Sequence, residues 1–400
     1  MKLFNLIITI AISAVVFISG ALFLVFYPIN QFPKPSGPYG VGITQYHWID
    51  TQRKEPNAID PQHVNREIMA YIFYPTNKHN HQIAYNSDQA TGFKNVLGFK
   101  YKLPTWLFSG LDQLKVYEEP NAPLVSDGKK FPIIIMSHGW GALLHGWTWF
   151  CELLASNGYV VVGINHPYVA EVIRYPDGRT IKTLVFKKAA ERKQEGGEQR
   201  YRAWKEDQVA VCAQDISSVV TQLEDLVLQS TMPWSTYIDL DRIGVMGGSF
   251  GGTTAMRACR KDQRIKCCID MDGCLRGEDA TAVFTKPCMM IVGSNSDQWV
   301  GRQGDSDLAT INALQKRYQN TFNKVVIEGA GHGVFSDIPF YGQTTLLLQL
   351  LSHYTNFYGT ASQKEQLSND RIRAIFATLE SNILGFFDKT LSVKQTSEKE

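Results

Sequence analysis

The sequence predicts a doubly wound α/β fold with a mostly parallel sheet, preceded by one transmembrane helix. Three observations predict it. Short, nearly continuous apolar runs recur from residue 131 onward, helical segments separate them, and an uncharged apolar stretch occupies residues 3–27. Continuous apolar strands are typical of a parallel sheet, because helices cover both of its faces.

Six apolar runs have the length and composition of buried strands. They lie at residues 133–136, 160–164, 243–246, 267–271, 288–292 and 324–327. The clearest helical segment, residues 209–226, falls between the second and third runs and repeats its apolar residues with the 3.6-residue period. An earlier strand is expected at 66–74, where Pro75 closes an apolar run, and a last helix is expected at 372–387.

The N-terminal segment from Leu3 to Tyr27 contains no charged residue. Because about 20 apolar residues cross a bilayer core of about 30 Å, we expect an uncleaved signal anchor. A cleaved signal peptide, cut near Ala21, is the alternative. Lys2 favours a cytoplasmic N-terminus and an exported body, and the lack of an N-x-[ST] acceptor favours a bacterial envelope or periplasm. The body would be secreted if the segment is cleaved.

The chain divides into four parts. We assign residues 1–28 to the anchor, 29–65 to a linker rich in proline and glycine that includes the start of the body, 66–390 to one α/β domain, and 391–400 to a polar tail. The charged segment 177–207 interrupts the alternation of strand and helix. We interpret it as a solvated surface insertion, with a lid over a site as the alternative.

Composition excludes some classes of function. The 40 basic and 38 acidic residues give a net charge of +2, so there is no overall positive field to attract nucleic acid, and no nucleic-acid partner is expected. The seven cysteines have no metal-like spacing and are interpreted as small core residues. We therefore expect neither a metal nor a cofactor.

A glycine-rich turn marks the candidate nucleophile. Ser249 lies in the sequence Gly247-Gly248-Ser249-Phe250-Gly251-Gly252, directly after one predicted strand and before a segment that can start a helix. A serine nucleophile on a sharp strand-to-helix turn needs glycines around it, because side chains there would collide with the strand or helix. A turn that only packs a helix on a strand is the alternative, and the position after a buried strand favours the nucleophile.

The candidate base and acid follow Ser249 in the chain. His332 lies in a glycine-rich loop after a predicted strand, whereas His353 lies in a helical run, so His332 is the candidate base. Asp272 and Asp297 each follow a predicted strand and could orient the imidazole. Asp270 is interpreted as structural, since it lies within an apolar strand. The order serine, acid, histidine is that of the α/β-hydrolase fold.

Two backbone amides are candidates for an oxyanion hole. One belongs to Phe250, the residue after the nucleophile, and the other to Trp140 in the loop Ser137-His138-Gly139-Trp140-Gly141, which follows an earlier strand. His138 is interpreted as a structural loop histidine rather than a second base.

These motifs together resemble the plasma-type platelet-activating factor acetylhydrolase family, the lipoprotein-associated phospholipases of the α/β-hydrolase superfamily. The resemblance runs from Gly37 to Asp337. It selects Asp272 as the acid, because that family places the acid after the strand that follows the nucleophile. Dienelactone-hydrolase-like and cutinase-like relatives place it one strand later, where Asp297 stands. Gly248 departs from the family, which commonly has histidine there.

The resemblance implies a serine ester hydrolase that removes short or oxidised acyl chains from phospholipids, with a lipid substrate and a membrane contact through the N-terminal helix. A general carboxylesterase or a polyester or dienelactone-type hydrolase acting on small esters is the alternative. A second alternative is an inactive, membrane-tethered binding protein on the same fold, because a fold alone does not fix function.

Overall fold

The computed structural model describes residues 32–58, 60–78, 83–84, 102–125, 128–229, 235–275, 277–294, 308–342 and 369–392, with a few isolated positions before residue 21 and between 94 and 98. Asp297, His353 and nearly all of the expected anchor, residues 3–27, lie outside the described residues. None of the helices in the described ranges is both long and apolar enough to cross a membrane.

The described strands and helices follow one another along the chain in a largely alternating order. The strands are β1 (Gly40–Lys54), β2 (Asn65–Thr76), β3 (Ile83–Ala84), β4 (Lys115–Val116), β5 (Glu118–Pro120), β6 (Phe131–Ser137), β7 (Val160–Asn165), β8 (Val172–Arg174), β9 (Thr180–Lys182), β10 (Ile238–Gly248), β11 (Ile265–Met271), β12 (Cys288–Gly293) and β13 (Phe322–Ile327). The helices are α1 (Thr148–Ser156), α2 (Val185–Gln229), α3 (Phe250–Lys261), α4 (Leu308–Arg317), α5 (Ile338–Gly342) and α6 (Asn369–Thr390).

One large sheet organises the body. Its strand order is β13-β12-β11-β10-β6-β7-β2-β1-β5. Every pairing from β13 to β7 is parallel, whereas β2 runs antiparallel to both β7 and β1. The predicted doubly wound, mostly parallel α/β sheet is thus confirmed, and β10, which ends just before Ser249, lies in its interior.

Helices cover both faces of this sheet. On one face α1 and α6 contribute Phe150 and Leu379, and on the other α2 and α3 contribute Ile216 and Met256, all of them buried. Side chains of a strand alternate between the faces, so strands buried on both faces, such as β6, β7 and β12, are apolar at nearly every position. This is why continuous apolar runs predicted the strands.

Two regions differ in detail from the expectation. β1 occupies much of the range expected as a linker and start of the body, and it pairs with β2 over most of its length. The charged segment 177–207 contributes β9 and the beginning of α2, a helix bent at Gly196 and Gly197, where φ reaches 66° at the second glycine.

The body begins earlier than β1. Phe32 is buried, and its ring lies 5.4 Å from the ring of Phe340 in α5. The chain is therefore packed into the core from residue 32 onward.

Candidate active site

Ser249 lies on a strained turn between β10 and α3. Its backbone has φ 56° and ψ −122°, a conformation that non-glycine residues rarely adopt, and its amide donates to the Met271 carbonyl at 2.8 Å. The flanking glycines leave no room for a side chain. A Cβ on Gly247 would lie 2.4 Å from the Gly251 backbone, and one on Gly251 would lie 2.2 Å from the Ser137 carbonyl oxygen. The glycine spacing is thus a packing requirement of the turn.

The structure brings Ser249, His332 and Asp272 together. The Ser249 hydroxyl lies 3.0 Å from Nε2 of His332, and the opposite ring nitrogen, Nδ1, lies 2.6 Å from Oδ2 of Asp272. Since a carboxylate only accepts hydrogen bonds, Nδ1 carries the proton and Nε2 is left to accept from the serine. The imidazole is therefore in the tautomer that a general base requires.

Asp272 is fixed at the end of β11. Its carboxyl group is buried, its backbone has φ 57°, and its Oδ1 accepts the Gly293 amide at 3.0 Å. The nearby Asp270 instead accepts the Gly273 amide at 2.8 Å within the turn after the strand. Asp272 is the described carboxylate that contacts His332, while Asp297 falls outside the described residues.

The loop after β6 lies directly against the nucleophile. A Cβ on Gly139 would stand 3.6 Å from that of Ser249, and the ring of Trp140 lies 4.7 Å from that of Phe250. Within the described part of the chain, neither the Trp140 nor the Phe250 amide donates to another residue. The Phe250 amide belongs to the first turn of α3, where backbone N–H groups have no partner in the helix and can bind an anion.

A cavity of about 430 Å³ opens over Ser249 and His332. Most of its described wall is apolar, and its large apolar side chains are those of Trp140, Leu143, Trp147, Phe186, Phe250, Phe335 and Ile338. Phe186, Tyr201 and Lys205 belong to the charged segment. The inner side of that segment thus forms part of the wall, in addition to the solvated surface that the sequence predicted.

Trp147 is a site residue that the sequence analysis missed. Its indole N–H donates to the Phe335 carbonyl at 2.8 Å, next to the turn that carries His332. A Cβ on Gly248 would lie 2.4 Å from the indole nitrogen. The indole therefore fills the space that a side chain before the nucleophile would need, which accounts for the glycine at 248. No local pattern links two residues a hundred positions apart.

A second serine, histidine and aspartate array lies beneath the loop after β6. Ser137 Oγ is 2.9 Å from His166 Nε2, and His166 Nδ1 is 2.8 Å from Asp215. All three side chains are buried, and none lines the cavity. Burial opposes the ionisation of Asp215, but the guanidinium groups of Arg66 and Arg53 hold the pKa of this carboxyl well below its usual value. The array is a structural support rather than a second reactive centre.

Two buried groups in the described ranges have the donor atoms for a metal ion. They are Cys259 with Cys268 and Cys288, and His166 with Cys212 and Asp215. The second group already serves the ion pairs of Arg66 and Arg53. Neither group borders the cavity over Ser249. The array of Ser249, His332 and Asp272 can carry out acyl transfer with its own side chains.

The sequence of the chain is similar to those of known enzymes. A sequence model of the family described as platelet-activating factor acetylhydrolase, isoform II, matches residues 24–382. The platelet-activating factor acetylhydrolase of Cavia porcellus is 24% identical over 343 residues, which cover 81% of this chain and 72% of the relative. A protein of Arthroderma benhamiae named "Probable 1-alkyl-2-acetylglycerophosphocholine esterase" is 25% identical over 335 residues, or 77% of this chain and 76% of that one.

A solved structure has a similar fold. The ferulic acid esterase from Streptomyces cinnamoneus is 21% identical and aligns with a TM-score of 0.61 over 89% of this chain and 92% of its own. The likeness confirms the α/β-hydrolase architecture that the motifs predicted.

Proposed function

The chain belongs to the platelet-activating factor acetylhydrolase, isoform II family, and on that premise we propose a serine ester hydrolase that cleaves short or oxidised acyl chains from phospholipids. The observation that carries the proposal is the hydrogen-bonded array of Ser249, His332 and Asp272 at the base of an apolar cavity. A membrane-tethered protein without activity would not need this array or the strained turn that presents it.

The proposed reaction proceeds through an acyl-enzyme. Ser249 attacks the ester carbonyl while His332 Nε2 takes its proton, and Asp272 stabilises the charge that develops on the imidazole. The Trp140 and Phe250 amides bind the negative oxygen of the tetrahedral intermediate. His332 then returns the proton to the leaving alcohol. Water, activated by the same histidine, releases the acid.

The substrate class is tested by hydrolysis rates across acyl chains of increasing length. Each acyl chain is presented twice, on a small soluble ester and at the sn-2 position of a phospholipid, to the full chain in detergent micelles. We expect the phospholipids with the shortest or oxidised chains to have the largest kcat/KM. Higher rates on the soluble esters, with phospholipids inert, would favour a general carboxylesterase or a dienelactone-type hydrolase.

We further propose that residues 3–27 anchor the enzyme in a membrane and that the catalytic domain is exported. The uncharged run and the single preceding cation, Lys2, support the proposal. The intact chain should remain in the membrane fraction after high-salt and alkaline washes, as a spanning helix does. A soluble mature protein that begins near Leu22 would show a cleaved signal instead.

A further inference from the structure

His138 lies behind the loop that carries the Trp140 amide. The side chain is fully buried and does not border the cavity, so it cannot contact a substrate. Both of its ring nitrogens are engaged by backbone groups. The His166 amide lies 3.0 Å from Nε2, and the Gly139 carbonyl oxygen lies 2.8 Å from Nδ1.

These partners fix the tautomer of the ring. Nε2 receives an N–H group and therefore carries no proton, so the proton of the neutral ring is on Nδ1 and is donated to the Gly139 carbonyl. Burial, reinforced by the neighbouring His166, lowers the pKa of His138 to about 3. The ring therefore stays neutral at the pH values at which an ester hydrolase is assayed.

The hydrogen bond to Gly139 also sets the direction of the next amide. The Gly139 carbonyl and the Trp140 N–H belong to one planar trans peptide unit, in which the two groups point in opposite directions. A carbonyl held toward the His138 ring thus turns the Trp140 N–H away from that ring. Gly139 packs against Ser249, with its Cβ position 3.6 Å from that of the serine, and Trp140 borders the cavity together with Ser249. We therefore take the side away from the His138 ring to be the side of the cavity.

We propose that His138 is a positioning residue for the oxyanion hole: its Nδ1–H holds the Gly139 carbonyl and thereby aims the Trp140 amide at the oxygen of the tetrahedral intermediate. The inference rests on the proposed function, because it assigns a role within that reaction. Among the described residues, the Ala142 amide also contacts the Gly139 carbonyl, at the longer distance of 3.2 Å.

The buried array beneath the loop supports this role. His166 supplies the amide that selects the tautomer of His138, and its own ring is held between Ser137 and Asp215. Ser137 directly precedes His138 at the end of β6. These hydrogen bonds therefore hold the ring of His138 at a fixed position relative to the sheet that carries Ser249.

Two substitutions of similar size separate the two hydrogen bonds of the ring. An asparagine at 138 can place its N–H₂ near the position of Nδ1 and keep the donor to Gly139. A glutamine can place its oxygen near the position of the histidine Nε2. This keeps the acceptor for the His166 amide but removes the donor to the Gly139 carbonyl. The kcat and KM of His138→Asn and His138→Gln are measured on a short-chain ester and on its thionoester, with the full chain in detergent.

We expect His138→Gln to lower kcat on the ester by about ten- to a hundredfold with KM little changed, since loss of a whole oxyanion donor lowers kcat about 10²–10³-fold. His138→Asn should retain most of the wild-type kcat. In His138→Gln, kcat on the thionoester should fall less than kcat on the ester, because sulfur is a weak hydrogen-bond acceptor. His63→Gln, a change at a partly exposed ring, is the matched control and should leave both rates unaltered.

Equal losses in the two His138 variants, or equal losses on ester and thionoester, would overturn the inference and leave His138 a packing residue. A wild-type chain inactive on every ester would instead overturn the proposed function. Nitrogen-15 NMR of the imidazoles decides the question if His138→Gln fails to fold. A proton on Nδ1 of His138 in the wild type supports the inference, and a proton on Nε2 would refute it.

Discussion

Asp272→Asn tests which acid serves His332. Both carboxylate oxygens of Asp272 accept hydrogen bonds, Oδ2 from His332 at 2.6 Å and Oδ1 from the Gly293 amide at 3.0 Å. An asparagine offers one oxygen and one N–H₂ group. In either orientation, the N–H₂ group therefore faces a group that donates a hydrogen bond to Asp272 in the wild type.

Each orientation harms the reaction. If the N–H₂ faces His332, the imidazole shifts to the tautomer with its proton on Nε2, which cannot accept the proton of Ser249. If the N–H₂ faces Gly293, the imidazolium still loses the negative charge that stabilises it. The corresponding change in well-studied serine proteases lowers kcat about 10⁴-fold, which at about 1.36 kcal/mol per factor of ten is about 5.4 kcal/mol. We expect a loss of that order here.

The assay compares kcat on a short-chain ester for the wild type, Asp272→Asn and Asp297→Asn, with melting temperatures measured on the same preparations. Asp297→Asn is expected to have a small effect. A loss below about tenfold in Asp272→Asn at unchanged stability would refute the reasoning. A severe loss in Asp297→Asn alone would place the acid one strand later and favour the general esterase.

Three further predictions concern other residues. Ser249→Ala and His332→Ala should each abolish ester turnover without changing the melting temperature, since one loss from such a triad can lower kcat about a millionfold; a variant with wild-type turnover would remove that residue from the site. Gly248→His should destabilise the fold by about 1–3 kcal/mol, because the new side chain meets Trp147. Trp147→Ala is destabilising by itself, since it empties a buried position, but Gly248→His should cost less in that background than in the wild type when both are measured by urea titration; an unchanged midpoint in the Gly248→His single variant would contradict the packing argument. Burial raises the pKa of Glu118 from 4.5 to about 8, so between those values the folded state keeps a proton that the unfolded state has released, and stability falls as pH rises. The melting temperature of Glu118→Gln relative to the wild type should therefore increase from about pH 5 to about pH 8, and a constant difference would be evidence against a buried neutral acid.

The parallel half of the sheet could be predicted because burial on both faces leaves a strong local signal. Most of its strands contain a short continuous apolar run, so neighbouring residues alone identify them. β1 gives no such signal. Its residues beyond Ile43 are largely half-buried or exposed, and its pairing with β2 is a long-range contact that no local pattern records.

The candidate triad residues could be named for a similar reason. Ser249 and His332 both stand among glycines that their loops require, and Asp272 follows a recognisable strand. Trp147 and the buried contacts of His138 have no counterpart in the sequence pattern, since they depend on how distant elements pack together. The sequence predicts a structural loop histidine at 138, but its hydrogen bond to Gly139 depends on the three-dimensional structure.

The packing of Phe32 limits the length of any tether to a bilayer. Five residue steps separate Tyr27, the end of the proposed span, from Phe32, and a fully extended chain covers at most about 18 Å over that distance. Phe32 contacts Phe340, two residues from Ile338 at the cavity wall. An enzyme anchored in this way would be held with its cavity close to the lipid surface, so that a membrane-resident ester could reach Ser249 after a short displacement from the bilayer. A shortened variant for work in solution should accordingly begin before Phe32, because a later start would empty a position in the core.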